Sequence, residues 1–319
     1  MSVVLSIRSP RIYGVVVGLT LLTIAFGLVN GAALGSVAVV LLAAAVIATG
    51  MPHGAVDHLV AAELYGLDGT WTDQAKFYGS YLALMALYGG FWGFTPVWSL
   101  VVFLVMTMYH FGQADLAYWD IPPIGARLLY LSRGLFVIGL PIAAFPVQVD
   151  PIFNAIAGVQ PSTWPLLASH ATAVCAGLVL QHGLALGVAA LLGDGEKRDS
   201  GREALNVAVL GALFGFVHPL VAFSVYFGLW HSLGHILELL RFFRRRGGIP
   251  ATIPAFYRKA ALFTVIPFVG LGVLYWATQA VGSTNQMIAL LFIAIAVMTL
   301  PHMIIVERLY REREEQTGV

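Results

Sequence analysis

Apolar runs of roughly 20 residues recur along the chain from end to end, each as long as a helix needs to cross a bilayer. Such a chain has few ways to fold in water. Of its 319 residues 59% are hydrophobic and 10% charged, and the mean hydropathy is +0.85. That is too little charge to cover a water-facing surface. The pattern predicts an all-α integral membrane protein, a single bundle of about ten transmembrane helices. No linker or internal repeat divides it, so residues 1–319 read as one transmembrane domain. A net charge of +1 leaves no basic footprint for nucleic acid. The lone Cys175 sits in an apolar run, which excludes a disulfide framework and a cysteine metal site.

The spans fall at roughly 12–30, 33–63, 75–94, 96–118, 124–145, 165–192, 203–217, 219–243, 257–281 and 284–309. The first follows Arg8 and Arg11 and carries no convincing cleavage site, so it reads as a retained helix rather than a signal peptide. The second is longer than one crossing and is expected to tilt or break near Gly50-Met51-Pro52. The seventh and eighth meet at His218-Pro219, where proline ends or bends a helix. With the N-terminus inside, all 17 Lys and Arg fall on cytoplasmic loops or inner helix ends. That is the positive-inside rule without exception, and it places both termini in the cytoplasm.

The same topology sorts the nine histidines. Spans two, four, eight and ten run from outside to inside. They carry His53 in "GMPHGAVDH", His110 in "MTMYHFGQAD", His231 and His235 in "WHSLGH", and His302 in "TLPHMIIVE". Each lies about 12 to 20 residues from the outer end of its span, which at about 1.5 Å per residue is the inner half of the bilayer. Histidines of four helices are therefore expected at one depth. His231 and His235 are related as i and i+4 and share a helix face, a good pair of ligands for one transition metal. A zinc-protease box is excluded, because its general base is replaced by Ser232. Haem fits poorly, since two ligands on one side of a helix cannot take opposite axial positions. Three or four imidazoles with open positions suit non-haem iron or zinc, and spacing alone does not choose. Asp57 and Glu238 stand about one turn beyond His53 and His235, placed to hold an imidazole by hydrogen bond. Gly50 and Gly54 form a small-xxx-small pair for close helix approach.

Plainer roles account for other residues. His170, His182 and His218 read as helix-to-helix hydrogen-bonding groups. His58, five residues from His53, is expected near the inner interface, and Gln113 and Asp115 at the inner end of span four. Asp57 and Glu238 read equally well as solvated charges at the inner helix ends.

The motifs "PHGAVDH", "YHFGQAD", "WHSLGH" and "PHMIIVE" resemble those of the Brp/Blh family of prokaryotic membrane proteins, the β-carotene 15,15'-dioxygenases found beside microbial rhodopsins. The resemblance runs from about residue 45 to 307 in motif order. It implies an Fe(2+)- and dioxygen-dependent enzyme of the prokaryotic inner (plasma) membrane that cleaves the central double bond of β-carotene into two molecules of all-trans-retinal. It also implies a functional link to a microbial rhodopsin and four metal ligands, His53, His110, His231 and His235; His302, whose Pro-His context and depth match those of His53, is the natural replacement candidate. Asp57 and Glu238 carry over only as candidates to orient the ligands. The physics agrees: β-carotene is a hydrocarbon rod that resides in the bilayer, so a metal at membrane depth needs no aqueous route for its substrate. A desaturase or hydroxylase would show adjacent histidine pairs, and none occurs. A transporter of metal or small molecules would show matched broken halves. A retinal-binding partner of a rhodopsin would bind carotenoid without turning it over.

Overall fold

The computed structural model describes residues 9–116, 123–192, 197–248, 250–278 and 282–317. Most of these residues are helical, and no strand occurs among them. In chain order the helices are α1 (Pro10–Ser36), α2 (Ala38–Ala45), α3 (Met51–Gly54), α4 (Asp57–Tyr65), α5 (Trp71–Phe94), α6 (Pro96–Leu116) and α7 (Pro123–Ala144). Then follow α8 (Pro146–Ala157), α9 (Pro165–Leu192), α10 (Lys197–Phe216), α11 (Pro219–Val225), α12 (Leu233–Arg245), α13 (Ile253–Thr278) and α14 (Thr284–Thr317). Prolines start many of them, because a missing N–H costs nothing in the first turn. Helices form at all ten expected positions. Among the described residues eight stretches are long and apolar enough to cross a membrane: Pro10–Ser36, Ala38–Tyr65, Pro96–Leu116, Gly125–Ala144, Pro165–Leu191, Pro219–Arg245, Ile253–Val273 and Thr284–Glu312. The helices at the third and seventh positions, α5 and α10, open on charged turns that dilute their apolar character. The chain's ends, which carry the expectation of cytoplasmic termini, lie outside the described residues.

Two features escaped the sequence reading. The link after the fifth span is itself helical (α8), and Asp150 within it accepts hydrogen bonds from the backbone N–H and the hydroxyl of Ser162. The second and eighth spans each contain a π-helical segment, Val46–Gly50 and Tyr226–Ser232. Widened turns of this kind occur mostly at functional positions.

The described chain forms two compact units. The first draws on Met1–Gly50, Thr107–Pro151 and Gln160–Leu237, the second on Met51–Met106, Ile152–Val159 and Glu238–Val319. Several changes of unit fall inside continuous helices, so neither unit is a chain segment that could be cut free.

In the first unit the helices approach closely. A Cβ at Gly112 would overlap the backbone of Tyr130, and one at Gly134 the backbone of Met108, so α6 and α7 cross with backbone against backbone. Only glycine permits this. The two π segments also meet: Thr49 donates to the carbonyl of Gly228 at 3.0 Å, and a Cβ at Gly50 would run into the Phe227 ring. Trp230 Nε1 donates to Thr20 Oγ1 at 3.0 Å, which ties the eighth span to α1.

In the second unit α14 packs on α4 and α5. Gly54 lets α14 come close: a Cβ there would stand 3.5 Å from His302 Nδ1. The two glycines read as one small-residue pair thus serve different neighbours. At one end of this unit Arg246 donates to the Glu63 carbonyl at 2.6 Å and pairs with Glu312. The expected inner ends of spans two, eight and ten therefore meet.

Candidate metal centre

The first unit brings three of the expected ligands together. His110 on α6, His231 in the π segment and His235 on α12 are each at most 3% exposed. Their ring centres are 4.9 Å apart for His110 and His231, 6.3 Å for His110 and His235, and 6.5 Å for His231 and His235. Rings that share one ion through metal–nitrogen bonds of about 2.1 Å have centres about 5–6 Å apart, so His110 and His231 stand at that spacing and His235 lies somewhat farther from both. The His231 and His235 rings lie parallel within 8°, and the π segment ends between them at Ser232. Phe111 packs on His231 at 4.3 Å between ring centres, and Phe227 stacks near-parallel to the same ring at 5.9 Å. The donor set is buried imidazole in apolar surroundings, which suits divalent iron or zinc.

The second unit holds His53, Asp57 and His302, all buried. The His53 and His302 rings meet edge to face with centres 5.0 Å apart. Asp57 accepts from His302 Nδ1 at 2.9 and 3.0 Å and from the Tyr81 hydroxyl at 3.0 Å. With the carboxylate as acceptor, Nδ1 of His302 carries the hydrogen. The expected geometry of one regular turn from His53 to Asp57 is not what the helix does. It breaks at Ala55–Val56, with Val56 at φ −103 and ψ 10, and Asp57 begins a new helix. The break turns the carboxylate to α14 and α5. Tyr81, on α5, was not singled out from the sequence; an ordinary aromatic on an apolar helix gives no signal of its own.

Glu238 pairs with Arg241 at 3.4 Å, both side chains about a quarter exposed, as a charge near a helix end does. His182 meets Ser132 at 3.1 Å and stacks on Phe136, a hydrogen bond between α9 and α7. His58 packs against Phe263 and Tyr78. Asp115 is not a solvated helix end: it accepts from Arg133 Nε at 2.9 Å and from Tyr226 Oη at 3.1 Å. Arg133, counted among the inner-face charges, is 2% exposed.

Apolar helices in several passes and buried imidazoles in both units define a class: helical membrane proteins carrying the nitrogen donors that transition metals take. The comparisons then specify the kind. The chain belongs to the beta-carotene 15,15'-dioxygenase family, whose profile matches residues 44–310. It is 30% identical over 288 residues to a protein of Halobacterium salinarum described as "Probable beta-carotene 15,15'-dioxygenase Blh", covering 83% of this chain and 82% of that one. It is 23% identical over 281 residues to the beta-carotene 15,15'-dioxygenase of the uncultured marine bacterium 66A03, covering 86% and 95%. No solved structure gives a significant match. The family match covers the stretch over which the motifs carried the resemblance.

Proposed function

We propose that this protein cleaves the central 15,15' double bond of β-carotene with dioxygen, giving two molecules of all-trans-retinal, each aldehyde taking one oxygen atom. His53, His110, His231 and His235 hold Fe(2+) for this reaction. The observation that carries the proposal is the family match, which contains all four histidines. The burial of His53, His110, His231 and His235, and the spacing of the His110 and His231 rings in the first unit, support it.

Bound iron would supply the activation of dioxygen, which an alkene needs to be cleaved. The protein's own part is to present neutral imidazoles, keep water out and receive a hydrocarbon from the bilayer. Phe111 and Phe227 set apolar rings beside His231, and Phe223 stacks on Phe227 at 5.3 Å. Burial among such groups protects the aldehyde products from water. In this proposal the chain is one transmembrane domain of a prokaryotic plasma membrane with both termini in the cytoplasm, and its retinal serves a microbial rhodopsin.

The test is expression in cells that make β-carotene. Loss of orange colour, appearance of retinal, and iron in the purified protein are expected. A bound carotenoid without product would instead identify a carrier.

A further inference from the structure

A charged side chain inside an apolar helix bundle is expensive, and its placement calls for a reason. Arg133 is such a group, midway along α7 and fully enclosed. Its Nε donates to Asp115 Oδ2 at 2.9 Å, and the same oxygen accepts from the Tyr226 hydroxyl at 3.1 Å. On its other side, Nη1 stands 4.0 Å from Glu203 Oε2. Glu203 Oε1 accepts from Asn206, whose carbonyl oxygen accepts from Tyr13 at 2.7 Å. Helices α1, α6, α7 and α10 and the π segment are thereby joined through one polar chain within the first unit.

The chain ends on the metal-bearing elements. Asp115 is five residues beyond His110 on α6, about 7.5 Å along the helix axis. Tyr226 opens the π segment in which His231 lies. A packed route leads from the network to the imidazole: the Phe111 ring is 5.4 Å from the Tyr226 ring and 4.3 Å from the His231 ring, centre to centre. The crossing of α6 and α7 at Gly112 and Gly134 holds Asp115 and Arg133 in register from the other direction.

We propose, resting on the ligand roles of His110, His231 and His235 given above, that Tyr226, Asp115 and Arg133 form a positioning clamp. It fixes the helix of His110 against the helix of His231 and His235 at the separation the metal needs. The three residues touch neither metal nor substrate. Asp115 acts as the shared acceptor, and Arg133 supplies the charge that keeps it an acceptor inside the membrane. The bond joins the elements beside the ligands, and Phe111, packed on Tyr226 and His231, transmits it.

Tyr226→Phe removes one hydroxyl and leaves every ring contact in place, so it is the decisive variant. In purified full-length protein, ferrous iron alone is titrated into the metal-free form, and the thermal midpoint of that form is recorded. Tyr226→Phe is expected to weaken iron binding about tenfold, at the low end for residues that orient ligands. Its kcat should fall while KM for β-carotene stays, since the apolar surface for substrate is intact. Asp115→Asn should weaken iron binding further, and Arg133→Lys, which keeps the charge but loses the fork, should fall between. Ser132→Ala is the control: it breaks the buried α7–α9 bonds to Gln181 and His182 and should lower the midpoint without changing iron affinity. If Tyr226→Phe binds iron as tightly as the unaltered protein and merely melts earlier, the network is only structural and the clamp is overturned. If His231→Ala also keeps full iron binding, the ligand reading itself fails, and the two failures are thereby told apart.

Discussion

At the scale of single residues, the four proposed ligands should be indispensable together. Replacing His53, His110, His231 or His235 by alanine should abolish retinal formation and reduce iron content to background in folded protein; a variant with full iron and turnover removes that residue from the set. Asp57 has a different expected signature. Its carboxylate holds His302 Nδ1 and the Tyr81 hydroxyl, so it acts on the pose of His302. Asp57→Asn keeps the shape but loses the charge, and activity should fall about 10- to 100-fold, as for partners that fix an imidazole. His302→Ala should produce a loss of similar size, and the double variant should lose little more, because residues of one hydrogen-bonded pair do not add. Additive losses would separate the two. Glu238→Gln should be near neutral, since its pairing with Arg241 is partly exposed and surface pairs contribute about 0–1 kcal/mol.

At the scale of elements, close approach and helix widening decide the geometry. Where α6 crosses α7, methyl groups at Gly112 or Gly134 have no room. Gly112→Ala and Gly134→Ala should each destabilise the protein by about 1–3 kcal/mol, as overpacking does, and should also lower iron content because His110 lies two residues from Gly112. Gly79→Ala, where a Cβ meets open space, should behave as the unaltered protein in a thermal melt. The π segments show what heptad-like counting misses. The face shared by His231 and His235 was legible as i and i+4, but the extra width that lets Thr49 reach the Gly228 carbonyl was not. A single inserted residue in a turn leaves no mark on an apolar pattern, and the break at Ala55–Val56 leaves as little.

At the scale of the whole molecule, the charges predict the topology. Reporter fusions after Val319 and within 195–202 should both report the cytoplasm, and a periplasmic signal at either breaks the ten-span scheme. The meeting of Glu63, Arg246 and Glu312 is in keeping with spans two, eight and ten ending on one side. In the long apolar stretches Pro165–Leu191 and Ile253–Val273 only 11% of the residues in the most apolar window are buried, so many of their side chains are left for lipid. Detergents that strip lipid should therefore cost stability that bilayer nanodiscs restore, read as the thermal midpoint in each.

The sequence by itself determined the helical membrane class and the positions of nearly every helix, because hydrocarbon thickness sets the length of an apolar run and leaves it visible. It also determined the four histidine motifs, because ionisable groups are so rare in apolar spans that each one stands out. Only the tertiary structure decided what those groups touch. Asp57 reached His302 and Tyr81 rather than the place a regular turn would give, and Arg133 passed from a counted loop charge to an enclosed partner of Asp115. The physical reason is the same in both cases. Burial leaves a polar group no water to bond, so its partner is whichever group the packing of distant helices brings within about 3 Å.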